Sequence, residues 1–205
     1  MNEFTELEYK YRADDIGLKQ FTDLMEELGY EKQLTISSWD IYYTNDSDDF
    51  IRLRESPDSP EMTIKRKTTK SNNWVRKEVD LPLSAQRWSR KGVEEFVALE
   101  GYSENFRIYK SCFIYWQEHI NFVYYIVYDE QMREQGRFVE VEHNKHNIED
   151  TTYYSGDVDD LGNQMINKHC NAKERIRISE KELNKLGITS KNRLKKSLFE
   201  MFRRV

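Results

Sequence analysis

Four short stretches carry like charges two residues apart. They are Glu6 and Glu8 in "ELEYKYR", Arg52 and Arg54 in "FIRLRES", Lys65 and Lys67 in "MTIKRKT", and Glu140 and Glu142 in "FVEVEHN". Two carboxylates side by side repel each other, and a hard divalent cation taking their oxygens relieves the repulsion. Paired Arg and Lys need an anion in the same way, and both side chains donate well to phosphate. A chain offering both sets suits a polyanion held together with Mg²⁺ or Mn²⁺. The corresponding chemistry is attack of a metal-activated water on phosphorus, with the cations stabilising the charge that develops. The sequence shows no obvious covalent nucleophile and no G-x-x-x-x-G-K-[ST] loop, so a P-loop mechanism is excluded.

Such pairs act together only if their elements aim them at one place. In each stretch apolar residues alternate with the charges, so a strand would show charge on one face and Leu, Ile, Val or Tyr on the other. "VRKEVDL" (75–81) alternates likewise, and further strands are expected at 39–44, 107–116 and 121–128, about eight in all. Helix patterns lie at 14–28, ending at Gly29; at 84–100, burying Trp88, Phe96 and Leu99 and ending at Gly101; and at 189–204. Shorter helices are expected at 157–169 and at 179–186, where Ser179 and Glu182 have capping-box spacing. A single wet-faced sheet would explain any one strand. The sorting of charge across the set instead points to an inverted barrel: an antiparallel β (α+β) fold of eight strands, closed, charged within and apolar without, with helices packed outside.

With 205 residues and no domain-splitting linker, one domain is expected. Charge is heavy at 34%, but 13% aromatics with only 3 Pro and 8 Gly argue for a folded chain rather than disorder. A net charge of −5 speaks against an outer surface built to grip nucleic acid. The charged start is unlike a signal peptide, and the longest apolar run, Phe122 to Val127, is too short to span a bilayer. Cys112 and Cys170 make neither a disulfide framework nor a paired-Cys metal motif, so a cytoplasmic protein is expected.

The motifs, in order, resemble the CYTH or triphosphate tunnel metalloenzyme superfamily. E-x-E-x-K appears as Glu6, Glu8 and Lys10, and D-x-Y-Y as Asp40, Tyr42 and Tyr43. R-x-R, K-x-K and R-x-E follow as Arg52/Arg54, Lys65/Lys67 and Arg76/Glu78, and G-x-F-x-E-x-E as Gly136, Phe138, Glu140 and Glu142. The likeness covers residues 3–142 and resumes near 186. It implies a tunnel of eight antiparallel strands binding a triphosphate with one or two Mg²⁺ or Mn²⁺ ions. By position, Glu6, Glu8, Glu78, Glu140, Glu142 and Asp129 would be metal ligands. Arg52, Arg54, Lys65, Lys67, Arg76 and Lys110 would bind phosphate, and Lys10 would contact phosphate or assist the attacking water. Two departures stand out. The sixth strand reads Ile108-Tyr109-Lys110 where the family usually has K-x-R, with Arg107 out of phase by one. Asp129 lies about two residues too far from Gly136. The stretch 143–175 is longer than the family leads one to expect, a helical elaboration reaching to about 186 ahead of a closing helix at 189–204.

The function implied is a metal-dependent triphosphatase acting on a nucleoside, inorganic or thiamine triphosphate; an RNA 5′ end is less favoured. A class IV adenylate cyclase, converting ATP to cyclic AMP and pyrophosphate, and a non-catalytic polyphosphate- or nucleotide-binding module are the alternatives. No membrane partner is expected, and the protein would be a monomer or homodimer. His143 and His146 read as surface histidines rather than zinc ligands, since no second ligand pair accompanies them. Cys112 reads as core, and the aromatics of 113–128 as packing under a helix rather than stacking a base. The basic tail (Lys191, Arg193, Lys195, Lys196, Arg203, Arg204) reads as a solvated helix face.

Overall fold

In a computed structural model, residues 2–46, 49–57, 59–67, 75–84, 86–117, 120–143 and 179–204 are described. Alternation folds as eight strands: β1 (Asn2–Arg12), β2 (Glu31–Thr44), β3 (Phe50–Glu55), β4 (Glu61–Lys67), β5 (Val75–Pro82), β6 (Ser103–Gln117), β7 (Ile120–Tyr128) and β8 (Glu134–His143). Every pairing is antiparallel, and the neighbour order β1-β5-β4-β3-β2-β6-β7-β8 is that of a closed barrel. β1 closes the ring: residues 2–7 pair with β5 and residues 8–12 pair with β8. β2 runs eight residues further toward the N-terminus than the expected 39–44 strand. In that extension Leu34 and Ile36 share the parity of Asp40, so the apolar and polar faces trade places and the strand's pattern is lost.

Among the described residues, two longer helices cover much of the outside. α1 (Leu18–Glu27) lays Phe21, Leu24 and Met25 on Tyr11, Tyr115, Phe122, Tyr124, Val139 and Val141. The aromatic run of β6 and β7 is therefore largely helix-covered core, as its number of rings suggests, although Tyr125 has the opposite parity and lies within the barrel cluster. α2 (Arg90–Leu99) covers Ile41, Tyr43, Ile51, Leu53 and Met62. It starts later than expected, with the Ser89 hydroxyl accepting from the Gly92 N–H at 3.1 Å. Its buried stripe centres on Val97 with Val93 beside it; Trp88 packs against the same cluster, as expected, while Phe96 and Leu99 are 52% and 86% exposed, contrary to expectation.

The C-terminal segment is not one continuous helix. Residues 179–183 form a turn of helix (α3) that continues as a 3₁₀ turn, Asn184–Leu186, matching the expected 179–186 helix. A second 3₁₀ turn spans Ser190–Asn192, and α4 is only Leu198–Phe202. Between them Arg193 turns extended and bridges Tyr11, and the Leu194 N–H donates to the Lys10 carbonyl at 2.8 Å. A backbone bonded to β1 cannot also complete a helix, which is why the expected 189–204 helix is broken. The expected 157–169 helix and His146 lie outside the described residues. So does the side chain of His143, which ends β8.

Candidate functional site: a cavity with three unlike walls

Because successive strand residues face opposite ways, one parity of each strand points into the barrel. The enclosed cavity is about 430 Å³. Its first wall comes from β1 and β8, where the register sets Glu8 opposite Glu142 and Lys10 opposite Glu140. Oxygens of Glu8, Glu140 and Glu142 lie within 4.8 Å of one another. The Lys10 ammonium sits 2.6 Å from Glu140 and 3.4 Å from Glu8. The Asn121 amide donates to Glu142 at 2.9 Å. Three converging carboxylates form an all-oxygen donor set suited to a hard divalent cation.

The second wall holds the cations. Asp40, fully buried, accepts from Arg54 through two nitrogens at 2.9 and 3.2 Å and lies 2.6 Å from the Lys110 ammonium. Burial alone would raise the Asp40 pKa, but Arg54, Lys110 and Arg52 together hold it well below the usual carboxylate range. Arg52 donates to the Thr63 hydroxyl at 2.8 Å and to Glu61 at 3.1 Å, and that hydroxyl is 2.9 Å from Asp80. Arg54 and Lys110 are thus held on a carboxylate already inside the fold. The Asp of D-x-Y-Y was legible as a motif residue, but only the register (Asp40 opposite both Arg54 and Ile108) reveals it as their anchor.

The third wall is apolar: Ile36 on β2, Cys112 and Ile114 on β6, and Val123 on β7. Cys112 is buried, as expected, but it faces the bore rather than the outer core, and burial pushes its thiol pKa up. Tyr125, also buried here, stays a neutral phenol because burial and the neighbouring Glu140 both raise its pKa. Across one end, Leu198 and Phe199 of α4 enter the cluster of Tyr42, Phe50, Phe106 and Phe138.

Of the residues singled out from sequence, Glu8, Lys10, Arg52, Arg54, Lys110, Glu140 and Glu142 line this one cavity. Glu6, Lys65, Lys67, Arg76 and Glu78 stand in β1, β4 and β5, with Glu6 opposite Arg76 and Lys65 opposite Glu78. Their side chains lie outside the described residues. Asp129 does not reach the cavity, which corrects its expected role. It shapes the β7–β8 turn, accepting from the N–H groups of Gln131 and Arg133 and from the Arg133 guanidinium at 2.8–2.9 Å. Its longer spacing from Gly136 is the length of that turn. In the basic tail Lys191, Lys195, Lys196, Arg203 and Arg204 are exposed, as expected, though not on one helix; Arg193 is partly buried, stacked on Tyr9 at 3.4 Å, and the exposed Arg204 pairs with Glu130 at 2.7 Å.

No protein-family model matches the chain, and no curated protein sequence matches it. Among solved structures, a protein from Pyrococcus horikoshii superposes with a TM-score of 0.69 at 18% identity, covering 97% of this chain and 99% of its own. A candidate adenylate cyclase from Vibrio parahaemolyticus gives 0.63 at 14% identity over 98% of both chains. The chain shares the fold of these structures, an antiparallel tunnel of eight strands. An RNA triphosphatase from S. pombe is similar more distantly, with a TM-score of 0.50 at 11% identity over 86% of this chain and 85% of its own. Identities this low speak to the fold of the tunnel and leave its chemistry to the residues on the walls. Among the described residues no helix is long and apolar enough to cross a membrane.

Proposed function

We propose that this tunnel hydrolyses a triphosphate-bearing substrate with the help of a divalent metal. The reading rests on the meeting of Glu8, Glu140 and Glu142 with Lys10, Arg52, Arg54 and Lys110 around one cavity. The three carboxylates would hold Mg²⁺ or Mn²⁺, which when bound neutralises phosphate charge and lowers the pKa of a coordinated water. Arg54 and Lys110, fixed by Asp40, present their remaining donors to a phosphate without first having to be ordered. Arg52, braced by Thr63, adds a third cation on the same wall. Lys10, beside Glu140, holds a proton donor where it can orient a water or a terminal phosphate. By the family resemblance Glu6 and Glu78 would extend the metal set, and Lys65, Lys67 and Arg76 the phosphate set.

The likeness to a candidate adenylate cyclase over 98% of both chains favours one second reading, cyclisation of ATP with loss of pyrophosphate. Incubation with ATP, tripolyphosphate and thiamine triphosphate, in Mg²⁺ and in Mn²⁺, separates the two. Released orthophosphate supports hydrolysis; cyclic AMP without orthophosphate ends that reading. Equal turnover by the Glu8→Ala, Glu140→Ala double variant would remove the carboxylates from the chemistry.

A further inference from the structure

The acidic and basic walls account for a metal and a phosphate chain, but the third wall has no role in binding either. Ile36 and Cys112 are opposite each other in register, as are Ile114 and Val123, and Val123 is opposite Glu140 on its other side. The apolar surface therefore begins one strand away from the carboxylate cluster. Ile36 and Ile114 are only partly buried although they lie inside the barrel, so their uncovered surface faces the bore. At Ile108, where the family resemblance leads one to expect a cation, the chain has instead a buried member of the same cluster. A ligand of phosphate and metal alone would set strongly hydrated groups against this wall and gain nothing from it. A cavity of about 430 Å³, within the range of small-molecule sites, has room for more than a bare triphosphate.

We infer that the tunnel selects an organic triphosphate, one whose group beyond the phosphates presents apolar surface to Ile36, Ile114 and Val123, over inorganic triphosphate. The inference rests on the triphosphate reading of the site. The wall is the specificity element: it adds affinity only for a ligand with apolar surface to cover it, and leaves the phosphate contacts to the other two walls.

The test is titration calorimetry in the cold, with Mn²⁺, of the β,γ-methylene analogue of ATP and of inorganic tripolyphosphate, on the wild-type chain and on Ile114→Ala. The nucleotide analogue is expected to bind at least about tenfold more tightly than tripolyphosphate. Ile114→Ala should weaken the nucleotide by about tenfold and change tripolyphosphate by less than about twofold. Ile36→Ala, on the neighbouring strand, serves if the first variant does not fold, with the same expectation. Equal affinity for the two ligands, or equal losses in the variant, overturns the inference while leaving hydrolysis to be judged by phosphate release. Tight binding of the analogue by a chain that releases no orthophosphate from ATP itself upholds the inference and ends the hydrolase reading. Failure of both ligands to bind ends both.

Discussion

Asp40 holds Arg54 and Lys110 with one fully buried carboxylate. Deleting its charge leaves two cations facing each other in a poorly solvated wall, so Asp40→Asn should lower the unfolding free energy by about 3–5 kcal/mol. Urea denaturation near neutral pH measures this; a change close to zero would mean that water already screens the trio. The pH dependence has a definite sign. Unfolded, Asp40 titrates near the ordinary carboxylate value of 3.8, and folded it stays ionised well below that. Its contribution is complete above the unfolded pKa and is lost as the pH falls below 3.8 toward the folded value. Wild-type stability should therefore fall more steeply than that of Asp40→Asn below about pH 4. Parallel curves would assign the acid sensitivity to other groups.

The strand β8 and the helix α4 each hold one residue on which local packing turns. Near the start of β8 Gly136 has φ of 153°, and a side chain there would meet Arg12 Nη2 at 2.9 Å and Asp14 Oδ1 at 3.1 Å. The Arg12 side chain can swing away, but the backbone conformation cannot be relieved in the same way, so Gly136→Ala should cost about 1–3 kcal/mol. Melting temperature with and without the substitution checks this, and an unchanged value would mean that the strand relaxes. At α4, Phe199 stacks on Phe50 with ring centroids 4.5 Å apart and is buried. Phe199→Ala should destabilise by about 3–5 kcal/mol, since a five-residue helix has little else to dock it. Chemical denaturation reads this directly, and a loss below about 1 kcal/mol would show that the apolar end of the barrel closes without it.

At the scale of the whole molecule, the barrel concentrates like charge that only a ligand fully relieves. Glu8, Glu140 and Glu142 share one wall, and Lys10 is placed to offset part of their repulsion. Glu142→Gln keeps an oxygen for Asn121 to donate to and removes one charge, so the metal-free protein should melt at the same temperature or higher. The rise in melting temperature that Mn²⁺ gives the wild-type chain should shrink markedly in the variant. Differential scanning calorimetry with and without Mn²⁺ tests both halves; an undiminished metal response would place the ion elsewhere.

Strand-period alternation was enough to expect eight strands, and the like-charged pairs were enough to expect one ionic bore, because both signals are local. Glu8 and Lys10, or Glu140 and Glu142, are two residues apart in one strand, and a strand's geometry alone gives them a common face. Ladder register was needed for the rest. It turned Asp40 into an anchor, sent Asp129 into a turn, and brought Val123 beside Glu140. The broken C-terminal helix was equally hidden, since the backbone of Leu194 bonds to Lys10, a partner more than 180 residues away in the chain. Residue types and their period thus determined which side chains could carry charge inward. Closure of the barrel decided which of them meet, and that the third wall they face is apolar, because contacts between strands depend on pairing that no local pattern records.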